Sequence, residues 1–317
     1  MPTFVGTFIL SVFNALGAGG GGDQPKVAIQ PRATQEILAV RTRIRVDTNL
    51  VLIPVSVTDP KNRLVTGLSP QQFRVFEGKA EQKVLGFSSD DLPLSVGIVF
   101  DSSGSMASKL VKAREAVAQF FRTANPDDEF FLVNFSNAAE LEVPFTTNTG
   151  EIQNRLMATQ SKGRTALLDA VYLALHYIKN GRNARRALLV ISDGGDNDSR
   201  YTEDEIRNEV RESDAWVYAI GIYNEHPQIL PEEETGGPKL LADLAEESGG
   251  RHLAVHNAGE LPEAAAQIGM QLRNQYILSY SPANAEHDGR YHHVQVKIAE
   301  RKDLHLTWKH GYFAPGQ

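Results

Sequence analysis

The sequence predicts a doubly wound (Rossmann-like) α/β domain, with a mostly parallel sheet, inserted in or flanked by an antiparallel β-sandwich. Three observations carry that expectation. Across residues 93–275, continuous apolar runs alternate with stretches whose apolar residues recur at helical spacing. That is the pattern of strands covered on both faces by helices. Before residue 93 the apolar runs are short, partly alternating and broken by turn residues, and after residue 275 the same style returns, as antiparallel strands require.

Length and charge bound the rest. A chain of 317 residues suits about two domains of ordinary size. The net charge of −7 argues against nucleic acid as a partner, because that binding needs a basic face to displace counterions. There are no cysteines, which excludes disulfides, cysteine nucleophiles, thiolate zinc sites and iron–sulfur clusters.

Residues 1–22 begin with the apolar run FVGTFILSVFNAL at 4–16, followed by small residues. The run has the length of a signal-peptide core, although no basic residue precedes it. A buried strand or helix is the alternative, and the run is short for a membrane span of about 20 residues. The expectation is a signal peptide over 1–22, a secreted, periplasmic or cell-surface protein, and no integral membrane span. Residues 23–36 are polar and read as a linker. The glycine run at 17–22 is no phosphate loop, since no Gly-Lys-Ser/Thr closes it.

Residues 37–92 read as the first part of the sandwich. LVLIPVSV at 50–57 leads to a turn at Asp59-Pro60-Lys61-Asn62, and FRVF at 73–76 and VLGF at 84–87 follow. Residues 276–315 read as its second part, with strands near 276–281, 291–298 and 304–308. Neither flank could bury much core alone, so the two are expected to pair. In the α/β domain the buried runs are 94–100, 130–135, 187–191 and 216–222. Leu110, Ala113, Val117 and Phe121 share one helical face, as do Leu167, Val171, Ala174 and Ile178. Further helices are expected near 203–213, 239–247 and 260–275.

The candidate chemistry lies where those runs end. Asp101, Ser103 and Ser105, in Phe100-Asp101-Ser102-Ser103-Gly104-Ser105-Met106, sit between the first buried run and the first helix. Open α/β sheets bind ligands at this carboxyl edge. Alternating positions at a bend can turn three oxygen side chains toward one point, and such hard donors suit Mg2+ or Mn2+ far better than Cu or Zn. Helix capping explains the same residue types equally well. Thr165 precedes an apolar helix and taken alone reads as a cap. Asp193 follows a buried run, in Ser192-Asp193-Gly194-Gly195, where an acid is often only a turn residue. Three oxygen-bearing junctions, ordered so that one sheet edge could gather them, favour a shared site.

Asp-x-Ser-x-Ser after a first strand, a lone Thr before a helix and Asp-Gly after a later strand together resemble the metal-ion-dependent adhesion site of von Willebrand factor type A domains. The resemblance covers about residues 92–275. The flanks, including Val65-Thr66-Gly67-Leu68 and Phe73-Arg74-Val75-Phe76-Glu77, are similar to those of bacterial, often acidobacterial, VWFA-related proteins. The resemblance implies a protein-binding adhesion module rather than an enzyme. It implies Asp101, Ser103 and Ser105 as near-direct ligands of a divalent metal, Mg2+ first, with Mn2+ or Ca2+ as alternatives. It implies that Thr165 joins when a partner is bound, that Asp193 acts through water, and that a protein partner supplies an Asp or Glu carboxylate.

Two other classes compete. A phosphatase of the haloacid dehalogenase type also places an Asp after the first strand, but it needs a second acid two positions on, where Ser103 stands. A structural or assembly protein would use the sandwich as its interface. Asp196, Asp198 and Asp214 could form a second cation site, with solvated loop acids as the alternative. His292 and His293, adjacent on a strand, point to opposite faces and cannot chelate one ion together.

Overall fold

The computed structural model describes residues 50–223, 237–282, 288–299, 301 and 303–314. The apolar run at 4–16 and the linker lie outside them. Four short strands come first: β1 (Val51–Thr58), β2 (Phe73–Glu77), β3 (Ala80–Gln82) and β4 (Gly86–Ser88). The α/β region follows with β5 (Leu94–Asp101), α1 (Leu110–Phe121), β6 (Glu129–Phe135), β7 (Ala139–Thr146), α2 (Thr149–Ala158) and α3 (Leu167–Tyr177). It continues with β8 (Arg185–Ser192), α4 (Glu203–Glu212), β9 (Trp216–Ile222), α5 (Gly237–Ser248), β10 (His252–Val255) and α6 (Leu261–Arg273). The chain then returns to strands: β11 (Tyr276–Tyr280), β12 (Tyr291–Ile298), β13 (His305–Trp308) and β14 (Gly311–Phe313).

The long apolar runs form the middle of one sheet, in the order β10-β9-β8-β5-β6-β7. All pairs are parallel except β6 with β7. Every residue of β5 and β9 is buried, which explains why these strands read as unbroken hydrophobic runs. Alternate side chains divide between two cores. Val96, Ile98 and Phe100 join α1, α2 and α6 on one face, while Val99, Phe131 and Val190 join α3, α4 and α5 on the other. Fully burying one such side chain is worth about 1.5–3 kcal/mol.

β7, α2 and β10 go beyond the expected elements. β7 is an edge strand whose Glu140, Leu141 and Pro144 are exposed, and α2 buries only Ile152 and Leu156. In α2 and β10 apolar residues are too sparse to stand out from a loop, whereas β7 carries a two-residue alternation of Ala139, Leu141, Val143 and Phe145 that the expected strands left out.

The flanking strands combine. One sheet runs β13-β1-β11-β4 and another β14-β12-β2-β3, so each takes strands from both sides of the α/β region. Val51 of β1 pairs with Tyr280 of β11, and Val75 of β2 pairs with Val296 of β12. Between the sheets lies a shared core containing Ile53, Val55, Phe73, Val75, Tyr276, Leu278, Tyr280, Val294 and Val296. Where the chain passes between the two regions, one guanidinium gathers both crossings. Buried Arg185 donates to the Leu92 carbonyl at 3.1 Å and to Gln275 Oε1 at 2.8 Å.

A polar cluster edges this core. Glu77 accepts from the Tyr280 hydroxyl at 2.7 Å and lies 2.8 Å from His292 Nδ1, while His292 Nε2 is 3.2 Å from Asp288. The Glu77 carboxylate raises the His292 pKa above its ordinary value; burial opposes this and Asp288 reinforces it. A raised histidine pKa adds stability that is complete below the unfolded value of about 6.5 and fades as pH rises through the folded value. The melting temperature is therefore expected to fall as pH rises above about 6.5, and His292→Gln should flatten that slope. An unchanged slope in the variant would assign the pH dependence to other groups.

Candidate metal centre

The strand order reverses between β5 and β8. From β5 the chain moves outward through β6 and β7, then returns to lay β8 on the other side of β5 and moves outward through β9 and β10. At such a reversal the loops leaving adjacent strands diverge and open a crevice at their carboxyl ends. Asp101 closes β5, and Asp193 directly follows β8. Phe100 pairs with Ile191, so the two acids leave neighbouring strands within one residue of the same level.

Asp101 has no solvent exposure. Its Oδ1 accepts the Ser103 backbone N–H at 2.8 Å, and its Oδ2 accepts the Ser192 hydroxyl at 2.6 Å. Burial raises its pKa above the usual carboxylate range, the charge of Asp193 adds to that, and the Ser103 and Ser192 donors oppose it. The main cause is the loss of hydration around a buried carboxylate, to which the repulsion of a second carboxylate is added.

The hydroxyls are free of capping duty. Ser103 precedes a short 3₁₀ turn over Gly104–Met106 and makes no side-chain cap bond, and Lys109 rather than a serine stands at the N-cap of α1. Instead Ser103 Oγ and Ser105 Oγ lie 3.0 Å apart. Thr165 is not a cap either: Ala166 occupies the N-cap of α3. Capping therefore does not account for these side chains, although the sequence left that explanation open.

The loop before Thr165 is docked onto the loop after β5. The Gly104 N–H donates to the Gly163 carbonyl at 3.0 Å, the Lys162 N–H donates to the Ser102 carbonyl at 2.9 Å, and the Ser161 hydroxyl donates to the Ser103 carbonyl. Gly163 makes this possible with φ of 84°, a left-handed conformation that side chains resist. Thr165, 5% exposed, is tied to the loop after β8: its N–H donates to Asn197 Oδ1 at 2.9 Å, and its carbonyl accepts the N–H groups of Asn197 and Asp198. All three junctions thus meet at one sheet edge.

Asp193 has a partner that sequence reasoning missed. Lys109 Nζ lies 3.0 Å from Asp193 Oδ2, both side chains being about nine-tenths buried. Ser192, Ser161 and Asn197 were also missed. Ser192 adjoins Asp193 in the motif, but nothing local shows that its hydroxyl reaches Asp101 on another strand.

The proposed second cation site does not form as a unit. Asp214 lies at the amino end of β9, the opposite end from Gly221, which pairs with Ser192. Asp196 accepts the Ser199 hydroxyl at 2.5 Å, and Asp198 meets Arg164 at 3.3 Å. These two acids brace the loop that holds Thr165.

The donor set fits a hard divalent cation. It offers two carboxylates and three hydroxyls with no soft ligand, and among the described residues the Lys109 ammonium pairs with Asp193. Among the described residues no three His, Cys, Asp or Glu side chains gather as a metal cluster; this site combines two carboxylates with hydroxyls.

The chain is similar in part to several known proteins. Over 150 residues the chain is 26% identical to inter alpha-trypsin inhibitor, heavy chain 4, of Mus musculus, covering 42% of this chain and 16% of that protein. Over 182 residues it is 22% identical to an uncharacterized protein of Borreliella burgdorferi, covering 53% of this chain and 52% of the relative. The chain thus spans about half or less of the length of these curated relatives. Among solved structures it is similar to a von Willebrand factor type A protein from Catenulispora acidiphila (13% identity, 83% of this chain, 73% of that chain, TM-score 0.49). It is also similar to the conserved hypothetical protein BatB from Bacteroides thetaiotaomicron (19% identity, 56% of this chain, 98% of that chain, TM-score 0.46). Residues 96–195, which run from β5 through the loop after β8, match the family model described as von Willebrand factor type A domain. The chain carries a von Willebrand factor type A domain.

Proposed function

We propose that this protein is a metal-dependent protein-binding module of adhesion type, not an enzyme. Asp101, Ser103, Ser105, Thr165 and Asp193 would hold a divalent cation, Mg2+ first, with Mn2+ or Ca2+ as alternatives. The observation that carries the reading is the pair of serine hydroxyls 3.0 Å apart, unused as caps, beside a fully buried carboxylate at the strand reversal. When bound, the cation would supply net positive charge and accept an anionic oxygen from outside. Serine and threonine oxygens are neutral, so the chain's own residues would leave that charge only partly cancelled. A carboxylate of a partner's Asp or Glu is the matching ligand, being hard and anionic.

The phosphatase alternative is weakened because that chemistry needs a second acid two positions after the nucleophile, and Ser103 stands there and cannot act as the acid. We place the protein outside the cytoplasm on the strength of the apolar run at 4–16. Among the described residues no helix is long and apolar enough to cross a membrane.

The direct test is calorimetric titration with Mg2+ and Mn2+. Absence of binding at millimolar concentration, with Asp101 intact, sinks the metal reading. For the partner, binding should be lost in EDTA and restored by Mg2+. Thr165→Ala is expected to weaken partner binding about tenfold, the value of one hydrogen bond to a charged group, while changing the metal Kd less. Equal losses in both would make Thr165 an ordinary ligand, and binding that survives EDTA would move the interface to the sandwich.

A further inference from the structure

We infer that Lys109 is a tethered cation that competes with the divalent metal for Asp193, so that metal is bound by exchange with an ammonium already in place. The inference rests on the metal reading above and concerns how that site is regulated. Lys109 stands four residues after Ser105, at the N-cap of α1. Its Nζ lies 3.0 Å from Asp193 Oδ2 and 3.5 Å from the Ile222 carbonyl at the end of β9. The Lys109 and Asp193 side chains are 10% and 9% exposed. Taking an ion pair out of water is costly and is repaid only where partners are close and well oriented. Here the return is clear: Asp101 and Asp193 are two carboxylates in one buried crevice, and Lys109 is the cation that makes their closeness tolerable.

The same contact works against metal. A divalent ion drawn to Asp101 and Asp193 meets a positive ammonium at hydrogen-bond distance from one of them, and like charges in a buried site repel strongly. Lys109 must leave Asp193 for the ion to gain that carboxylate's full attraction. Its stem of four carbons lets the head group swing away while its backbone stays at the start of α1. The protein therefore keeps its loops together without metal and responds to metal only at higher concentration than the donor set alone would set.

Two measurements test this. The first is calorimetry of Mg2+ and Mn2+ binding to the full chain and to Lys109→Met and Lys109→Gln, with Lys112→Met, an exposed lysine paired to Glu115 on the same helix, as control. The Kd is expected to tighten at least tenfold in both Lys109 variants and to stay unchanged in the control. The metal-free melting temperature should drop in the Lys109 variants and recover with metal. If the unaltered protein binds metal and the variants bind equally or more weakly, Lys109 is not a competitor. If neither the protein nor the variants bind metal, the metal reading falls and takes this inference with it. The second measurement needs no variant. Acylation of lysines, read by peptide mass spectrometry, should be several-fold slower at Lys109 than at Lys112 without metal, and should accelerate at Lys109 alone when saturating Mg2+ is added. Unchanged Lys109 labelling at a Mg2+ concentration that stabilises the protein overturns the exchange.

Discussion

Asp101→Ala is expected to abolish the response to metal and, with it, partner binding. A ligand at about 100 times its Kd stabilises a protein by about 2.7 kcal/mol. For a chain of this size that corresponds to a rise of roughly 4 °C in melting temperature. Saturating Mg2+ should produce such a rise in the unaltered protein, EDTA should reverse it, and Asp101→Ala should show none. The reason is charge. Asp101 is the fully buried acid of the site, and Asp193 is already paired with Lys109. Without Asp101, the remaining hydroxyls and the paired acid would have to compensate a divalent ion with too little negative charge. The metal-free variant should still fold, because removing a buried carboxylate with a raised pKa also removes a desolvation cost that offsets the hydrogen bonds lost with it. The check is a thermal melt with and without Mg2+ on both proteins, and a full metal-induced rise in Asp101→Ala would falsify the assignment of that residue.

The second large effect concerns the split β-region. A chain ending at residue 275 should keep a folded α/β domain yet lose cooperative folding of the preceding β-strands. It would lack β11, the neighbour of β1, and β12, the neighbour of β2. It would also remove Tyr276, Leu278, Tyr280, Val294 and Val296 from the shared core. At about 1.5–3 kcal/mol for each buried side chain, that loss is of the same order as the roughly 5–15 kcal/mol that stabilises a whole domain. Residues 93–275 alone, which hold both cores of the α/β sheet, should melt in one transition. Hydrogen exchange is the readout: β1 and β2 should be protected in the full chain and unprotected in the truncated one. Equal protection of those strands in both chains would mean that the first flank folds without the second.

Much of the fold is legible because strand burial writes itself into composition. β5, β8 and β9 are covered by helices on both faces, so nearly every position is apolar and the runs are unmistakable. The helices α1 and α3 show their apolar faces at regular spacing for the same reason. β10 was illegible because a four-residue strand leaves few apolar positions, whereas β7 does carry a two-residue alternation at Ala139, Leu141, Val143 and Phe145 that the expected strands omitted. Thr165 shows the limit of local reading. Its place before a helix suggests a cap, but the backbone turns one residue later and Ala166 takes that position.

By itself the sequence determined the α/β class, the β character of both flanks, and the order of the oxygen-bearing junctions at Asp101, Thr165 and Asp193. These are local matters, since side-chain period and residue type are set within a few neighbours. Only the tertiary structure decided that the β5 and β8 junctions lie side by side, that Ser192 bonds Asp101, and that Lys109 neutralises Asp193. Each of those facts joins residues that the chain separates widely. They depend on the order in which strands are laid into the sheet, and no local pattern of apolar and polar residues encodes that order. The charge balance of the site followed from it. A lysine that reads as one more solvated helix residue became the counter-ion of a buried acid because the strand reversal brought β8 beside β5.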